Sequence, residues 1–161
     1  MSEIRCRDIF GNEYMFDEGA YSDRVGAYGI YIHEGQVLLV KDAITGNWDF
    51  PGGKIEPAET LLGGLQREFI EETGLTIGSS DIRQLISFIE YFYNLATQET
   101  CKSERHFYSV KRVNGNIRFM GNGDDVAEVR MIAISELDHY LIIDLTKRLI
   151  ASAMNEQREA F

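Results

Sequence analysis

Proline, cysteine and positive charge are all scarce in this chain. Pro51 and Pro57 are its only prolines, so there is no proline-rich linker, and neither a low-complexity tract nor an internal repeat divides the sequence. The 161 residues are therefore read as one domain, 1–161, long enough for a substantial core. The two cysteines, Cys6 and Cys101, make no CxxC motif and supply no disulfide framework. No apolar run is long enough to span a bilayer. The N-terminal stretch MSEIRCRDIFGNEYMF lacks the basic-then-apolar layout of a signal peptide. A cytoplasmic protein is the expectation. Lysine and arginine together number 16 against 26 acidic residues, a formal net charge of −10. That excludes a nucleic-acid polymer or an anionic membrane as the main partner, since both require a basic surface. A small phosphate ligand remains compatible, because a bound divalent metal reverses the local sign of a site. GxSxG and HExxH are also absent, and His33 and His139 have no partner at ligand spacing.

What is present reads mainly as strands. A short strand or two is expected within 4–17, with a turn at Gly11-Asn12. Val25–His33 and Gln36–Lys41 form a hairpin across Glu34-Gly35. Trp48-Asp49-Phe50 is a short extended piece ended by Pro51-Gly52-Gly53. Further strands are expected at Ile82–Tyr93, His106–Val113 and Glu128–Ile134, with Gly121–Ala127 as a loop. Asn114-Gly115 is a hairpin signal that would lead into a strand at Ile117–Met120. The clearest helix is Leu61–Thr73, capped by Thr60 and by Gly74 in the left-handed position. A last helix, from Glu136 to about Gln157, would open on a capping box of Ser135 and Asp138, with Leu141, Ile142, Leu145, Leu149 and Ala153 on its buried side. Strands with two separated helices imply a sheet that is covered on both faces.

The residues richest in chemistry lie between Gly53 and Leu75. With Leu65 at zero and about 100° per residue, Leu62 and Phe69 fall near +60° and +40°, Glu72 near −20°, Glu68 near −60° and Glu71 near −120°. A solvated charge face would lie opposite the core. These glutamates instead form a stripe along its seam, where a cleft wall would be. Like charges at i,i+3 and i,i+4 repel, and a hard divalent cation would relieve that repulsion. Arg67 can pair with Glu71 one turn on, and Glu59 can fold back toward Arg67. Gly53 lets the backbone approach a ligand closely and could offer its carbonyl. An ion-paired surface helix is the competing explanation on charge alone.

The same segment resembles the Nudix signature G-x5-E-x7-R-E-U-x-E-E-x-G-U, where U is a bulky apolar residue. Gly53, Glu59, Arg67, Glu68, Glu71, Glu72 and Gly74 occupy its fixed positions, and Phe69 and Leu75 its apolar ones. The resemblance implies an α/β fold of the Nudix type, an α/β/α sandwich with a central mixed β-sheet between helices. It implies a hydrolase that cleaves a nucleoside diphosphate linked to another group, such as a nucleoside triphosphate in MutT-like members. Residues matching Glu68, Glu71 and Glu72 would hold Mg²⁺, or alternatively Mn²⁺, with the Gly53 carbonyl as a further ligand. Arg67 and Glu59 would brace the loop. Glu68 is the first choice as general base, and Glu128 resembles a later-loop glutamate that some members use; Asp124 and Asp125 rank below it. A small nucleotide would be the partner, and a homodimer is left open.

Markers of substrate are fewer. No proline follows the box, against the ADP-sugar pattern, and the coenzyme A marker is absent. Tyr91 and Tyr93 lie where dinucleoside polyphosphate hydrolases place a base-stacking tyrosine, although aromatics are common on strands anyway. Trp48, beside the Gly52-Gly53 turn, could stack on a base or belong to the core. Arg105 and His106 could meet a phosphate or base. The alternatives to a triphosphate hydrolase are a dinucleoside polyphosphate hydrolase and a non-catalytic, nucleotide-sensing domain. The complete set of glutamates favours an enzyme over the latter.

Overall fold

The computed structural model describes residues 2–159. In chain order the strands are β1 (Glu3–Arg7), β2 (Glu13–Asp17), β3 (Ser22–His33), β4 (Gln36–Asp42), β5 (Trp48–Asp49), β6 (Gly52–Lys54), β7 (Leu75–Thr76), β8 (Ile82–Asn94), β9 (Glu99–Val110), β10 (Asn114–Gly115) and β11 (Val126–Ala133). Helix α1 spans Leu61–Thr73 and α2 spans Asp144–Glu159. The main sheet runs β11–β4–β3–β9–β8–β1–β2, with β5 paired to β4 and β6 to β3. Two pairings, β3 with β9 and β1 with β8, are parallel and the others antiparallel, so the sheet is mixed. Its two faces carry separate cores. Leu65 and Phe69 of α1 pack with Leu38, Val110 and Val129 on one face. Leu149, Ile150 and Ala153 of α2 pack with Ile30, Leu39 and Phe107 on the other. This α/β/α layering is the arrangement the strand-and-helix pattern implied.

Helix α1 has the limits its local signals predicted. Thr60 Oγ1 accepts from the Gly63 N–H at 3.0 Å, and Gly74 takes φ 82° as the cap. Gly64 sits against Ile55, whose side chain a Cβ there would overlap; this accounts for the glycine inside the first turn. The Glu34-Gly35 turn has positive φ at both residues, 48° and 75°, as a tight hairpin requires.

Two expectations fail. Asn114-Gly115 is not a hairpin turn: it is the strand β10, paired with β7 at the end of α1, and no strand follows at Ile117–Met120. The partner that recruits it is almost forty residues away, out of reach of local pattern. The last helix also starts later. Ile134–His139 is a 3-10 turn without a side-chain cap, and α2 begins only at Asp144. The Asp138 carboxylate accepts from Lys147 Nζ at 2.8 Å instead of closing a capping box, and Leu141 is 62% exposed. Strand β9 begins at Glu99 rather than near His106, and β8 carries an irregularity between Gln84 and Ile86 that explains its imperfect alternation. Among the described residues no helix is long and apolar enough to cross a membrane.

Candidate active site

The turn after β6 and the first turns of α1 are tied together by one guanidinium. Arg67 donates from Nε and Nη2 to the two oxygens of Glu59, each at 2.8 Å. Its Nη2 also reaches the Lys54 carbonyl at 3.0 Å. Its Nη1 donates to Glu68 at 2.9 Å and Glu71 at 3.2 Å. Hydrogen bonds from Arg67, then from the Glu56 N–H, hold the Glu59 carboxyl down at about 2. Pairing with Glu59 and Glu68 raises Arg67 in turn, against its partial burial. The fork geometry suits arginine and not lysine.

The glutamate stripe follows the angular order. Glu72 is 7% exposed and Glu71 lies open to solvent, with Glu68 between them. Glu72 accepts from the Gly52 N–H at 3.1 Å. Burial pushes its carboxyl up to about 9; the Gly52 bond opposes this, while Glu68, Asp125 and Asp49 add repulsion. Glu68 is raised by burial too, against the pull of Arg67. Two glycines make room. A Cβ on Gly53 would stand 2.8 Å from the Glu68 carboxyl carbon, and Gly52, at φ 147°, has the Ala27 carbonyl where a Cβ would go.

The donor set fits a hard divalent cation. It is all carboxylate and carbonyl oxygen, and Glu72 is a buried carboxylate with no cationic partner, within reach of three other acids, Glu68, Asp125 and Asp49. Among the described residues, no three of these side chains are already gathered tightly enough to hold an ion; Arg67 keeps Glu68 and Glu71 drawn to itself.

A cleft of about 710 Å³ opens beside Glu72 and is bordered by Asp125, Asp49, Tyr28 and Arg105. Asp49 is raised by burial against Arg105, whose guanidinium lies 3.9 Å away. Arg105 pairs with Glu90 at 3.1 Å and lies over the rings of Tyr28 and Phe107, 4.8 and 5.0 Å from their centres. These partners more than offset the burial that would lower it.

The cleft gathers some of the sequence-derived candidates and leaves out others. Arg105 is part of it. Trp48 is not: it is 5% exposed, sits in the α2-side core and meets Tyr140 edge-on at 5.7 Å. Tyr93 is stacked on Tyr14 at 3.8 Å, so that ring face is occupied. Tyr91 borders the cleft, but its ring packs with Phe16 and Tyr21. Alternation along β8 explains both, since Glu90 and Phe92 share the cleft face and Tyr91 and Tyr93 the other. Glu128 is turned to Lys41 at 3.4 Å and Arg130 at 2.6 Å. The loop carboxylate that feels Glu68 and Glu72 is Asp125, ranked below Glu128 by sequence. His106 is buried and bonded to Glu104 at 3.1 Å. Asp49, Phe92 and Asp125 were the residues sequence reasoning undervalued; only the alternation of β8 carried a signal for one of them.

A family model described as NUDIX domain matches residues 20–152. The chain belongs to the NUDIX family. Enzymes of this family generally use divalent metals. Among its relatives are an RNA pyrophosphohydrolase of Serratia proteamaculans, 38% identical over 45% of this chain and 40% of that protein, and an 8-oxo-dGTP diphosphatase of Buchnera aphidicola, 32% identical over 55% of this chain and 64% of that protein. The chain thus spans less than two thirds of either relative's length. The MutT protein of Bacillus halodurans shares the fold, with a TM-score of 0.66 at 20% identity, covering 80% of each chain.

Proposed function

We propose that this NUDIX chain is a hydrolase of phosphoric anhydride bonds that works with Mg²⁺ or Mn²⁺ on a nucleoside diphosphate linked to another group. A nucleoside triphosphate is the first substrate to test. One observation carries the reading: Glu72, a buried carboxylate pushed up to about 9, stands beside Glu68 and Asp125 at the wall of a nucleotide-sized cleft. Such a group is costly to ionise without a cation and becomes useful with one. The names of the relatives support the bond type. The whole chain, 1–161, is taken as one such domain. A cytoplasmic setting is consistent with its unpaired, buried Cys6 and Cys101.

A divalent cation at these oxygens would neutralise the diphosphate and acidify a water. The chain does the rest. Gly52 and Gly53 bring backbone close to the reacting phosphate, and the Gly52 N–H fixes the rotamer of Glu72. Glu68 takes the proton of the attacking water; burial brings its carboxyl toward the working range of a general base, while Arg67 holds its orientation. Water oxygen joins phosphorus as the P–O bond of the anhydride breaks. Arg105 offers positive charge from the cleft floor to the substrate.

The test is a panel with Mg²⁺: triphosphates including oxidised ones, dinucleoside polyphosphates, ADP-ribose and nucleotide sugars, scored by product. Turnover that disappears in Glu68→Gln supports the reading. Tight binding of a nucleotide with no turnover of any would instead make the chain a binding module.

A further inference from the structure

The family match begins at residue 20, so the hairpin of β1 and β2 lies outside it. It is nevertheless built firmly onto the sheet. Arg7 pairs with Phe92 in a parallel step, Tyr14 stacks on Tyr93 at 3.8 Å, and Phe16 meets Tyr91 at 5.6 Å. Its tip is held by a buried carboxylate. Asp8 accepts from the backbone N–H groups of Phe10 and Asn12, each at 2.9 Å, from Asn12 Nδ2 at 3.0 Å and from the Tyr14 hydroxyl at 3.1 Å. Gly11, at φ 86°, completes the turn.

This ordered tip borders the same cleft as Glu72. Arg7, Ile9 and Gly11 line it together with Phe92. Parallel pairing puts Arg7 and Phe92 on one face of the sheet, the face of Glu90 and Arg105. Ile9 is 53% exposed although its loop is pinned by Asp8, an apolar side chain held out in water. From β3, against which β6 and α1 pack, the hairpin is three strands away across β9 and β8, a span of roughly 14 Å. The carboxylate end of the cleft suits a cation and phosphates. The hairpin end, with an aliphatic side chain and a phenyl ring, suits a flat apolar group.

We infer that the N-terminal hairpin is a specificity element: Ile9 and Phe92 receive the nucleobase of a nucleotide whose diphosphate lies at the carboxylate helix. This rests on the reading of the site as one for a nucleoside diphosphate group. An aromatic base gains from burial against Ile9 and the ring of Phe92, whereas a bare diphosphate gains nothing there.

The experiment is calorimetric binding in Mg²⁺ of two probes without an anhydride bond, α,β-methylene-dGDP and methylenediphosphonate, which has the same bridged diphosphate core and no base. Ile9→Ser is expected to weaken the nucleotide about tenfold while leaving methylenediphosphonate unchanged. Ile9→Leu should retain wild-type affinity for both. Phe10→Ser, at the same tip but outside the cleft lining, should bind like wild type. Equal loss of both probes in Ile9→Ser, no loss of either, or a wild type without affinity for the nucleotide would overturn the inference. Ile9-dependent binding without turnover of any nucleotide would support it while overturning the hydrolase reading. Turnover with no effect of Ile9 on binding would overturn this inference alone.

Discussion

Making residue 72 unable to ionise should stabilise the metal-free protein at neutral pH while abolishing its response to Mg²⁺. Glu72 is 7% exposed and its carboxyl is pushed up from 4.5 to about 9. In the unfolded chain it ionises near the ordinary value, while in the fold it keeps its proton. Its contribution is therefore fully present below about pH 4.5 and is lost as pH rises toward 9. At pH 7 the unfolded chain has gained roughly 2.5 pH units of ionisation free energy that the fold has not, worth about 3 kcal/mol. Glu72→Gln cannot ionise, and its carbonyl can keep the bond from the Gly52 N–H. Metal-free Glu72→Gln should then be more stable than wild type by up to about 3 kcal/mol at pH 7, a rise of several degrees in Tm. The gap should close near pH 4.5. Mg²⁺ should raise the Tm of wild type, since binding to the folded state alone stabilises it, and leave Glu72→Gln nearly unmoved. Thermal melts with and without Mg²⁺ from pH 4.5 to 8 measure this. A gap that does not change with pH, or equal stabilisation of both proteins by Mg²⁺, would refute the reasoning.

Glu68→Gln should lower kcat at least a hundredfold in a Mg²⁺-dependent turnover assay, with an unchanged circular dichroism spectrum. Asp125→Asn should reduce turnover by tenfold or more, whereas Glu128→Gln, which loses only its pairs with Lys41 and Arg130, should stay within a few-fold of wild type; the reverse order would restore Glu128 as the functional acid. Gly52→Ala should abolish Mg²⁺-dependent turnover and lower Tm, because its Cβ would meet the Ala27 carbonyl at a backbone φ of 147°. Trp48→Ala should cost about 3–5 kcal/mol in denaturant melts as a core truncation; a change in substrate KM without such a loss would argue for a role in binding.

The sequence by itself determined α1 and the acids and arginine around it. Its caps, Thr60 and Gly74, act within four residues of the backbone groups they satisfy, and the angular placement of Glu68, Glu71 and Glu72 follows from helix geometry alone. The Arg67 clamp on Glu59 spans only eight residues, so its spacing was legible as well. Elsewhere a partner outside the local pattern overrode local chemistry. Asn114-Gly115 has the chemistry of a turn, yet β7 takes it as a strand. Ser135 and Asp138 have the chemistry of a helix start, yet Lys147 captures Asp138. The far end of the cleft was decided entirely by tertiary structure. Whether an aromatic on β8 faces the cleft depends on register and on what covers the other face. The β1–β2 hairpin took up Tyr91 and Tyr93, the α2-side core took up Trp48, and Phe92 was left with Arg105 in the cleft lining. Local spacing specifies the carboxylates and the arginine that brace them, because they sit on or beside one helix. The far end of the cleft is assembled from strands and a hairpin distant in sequence, and only their packing brings it into being.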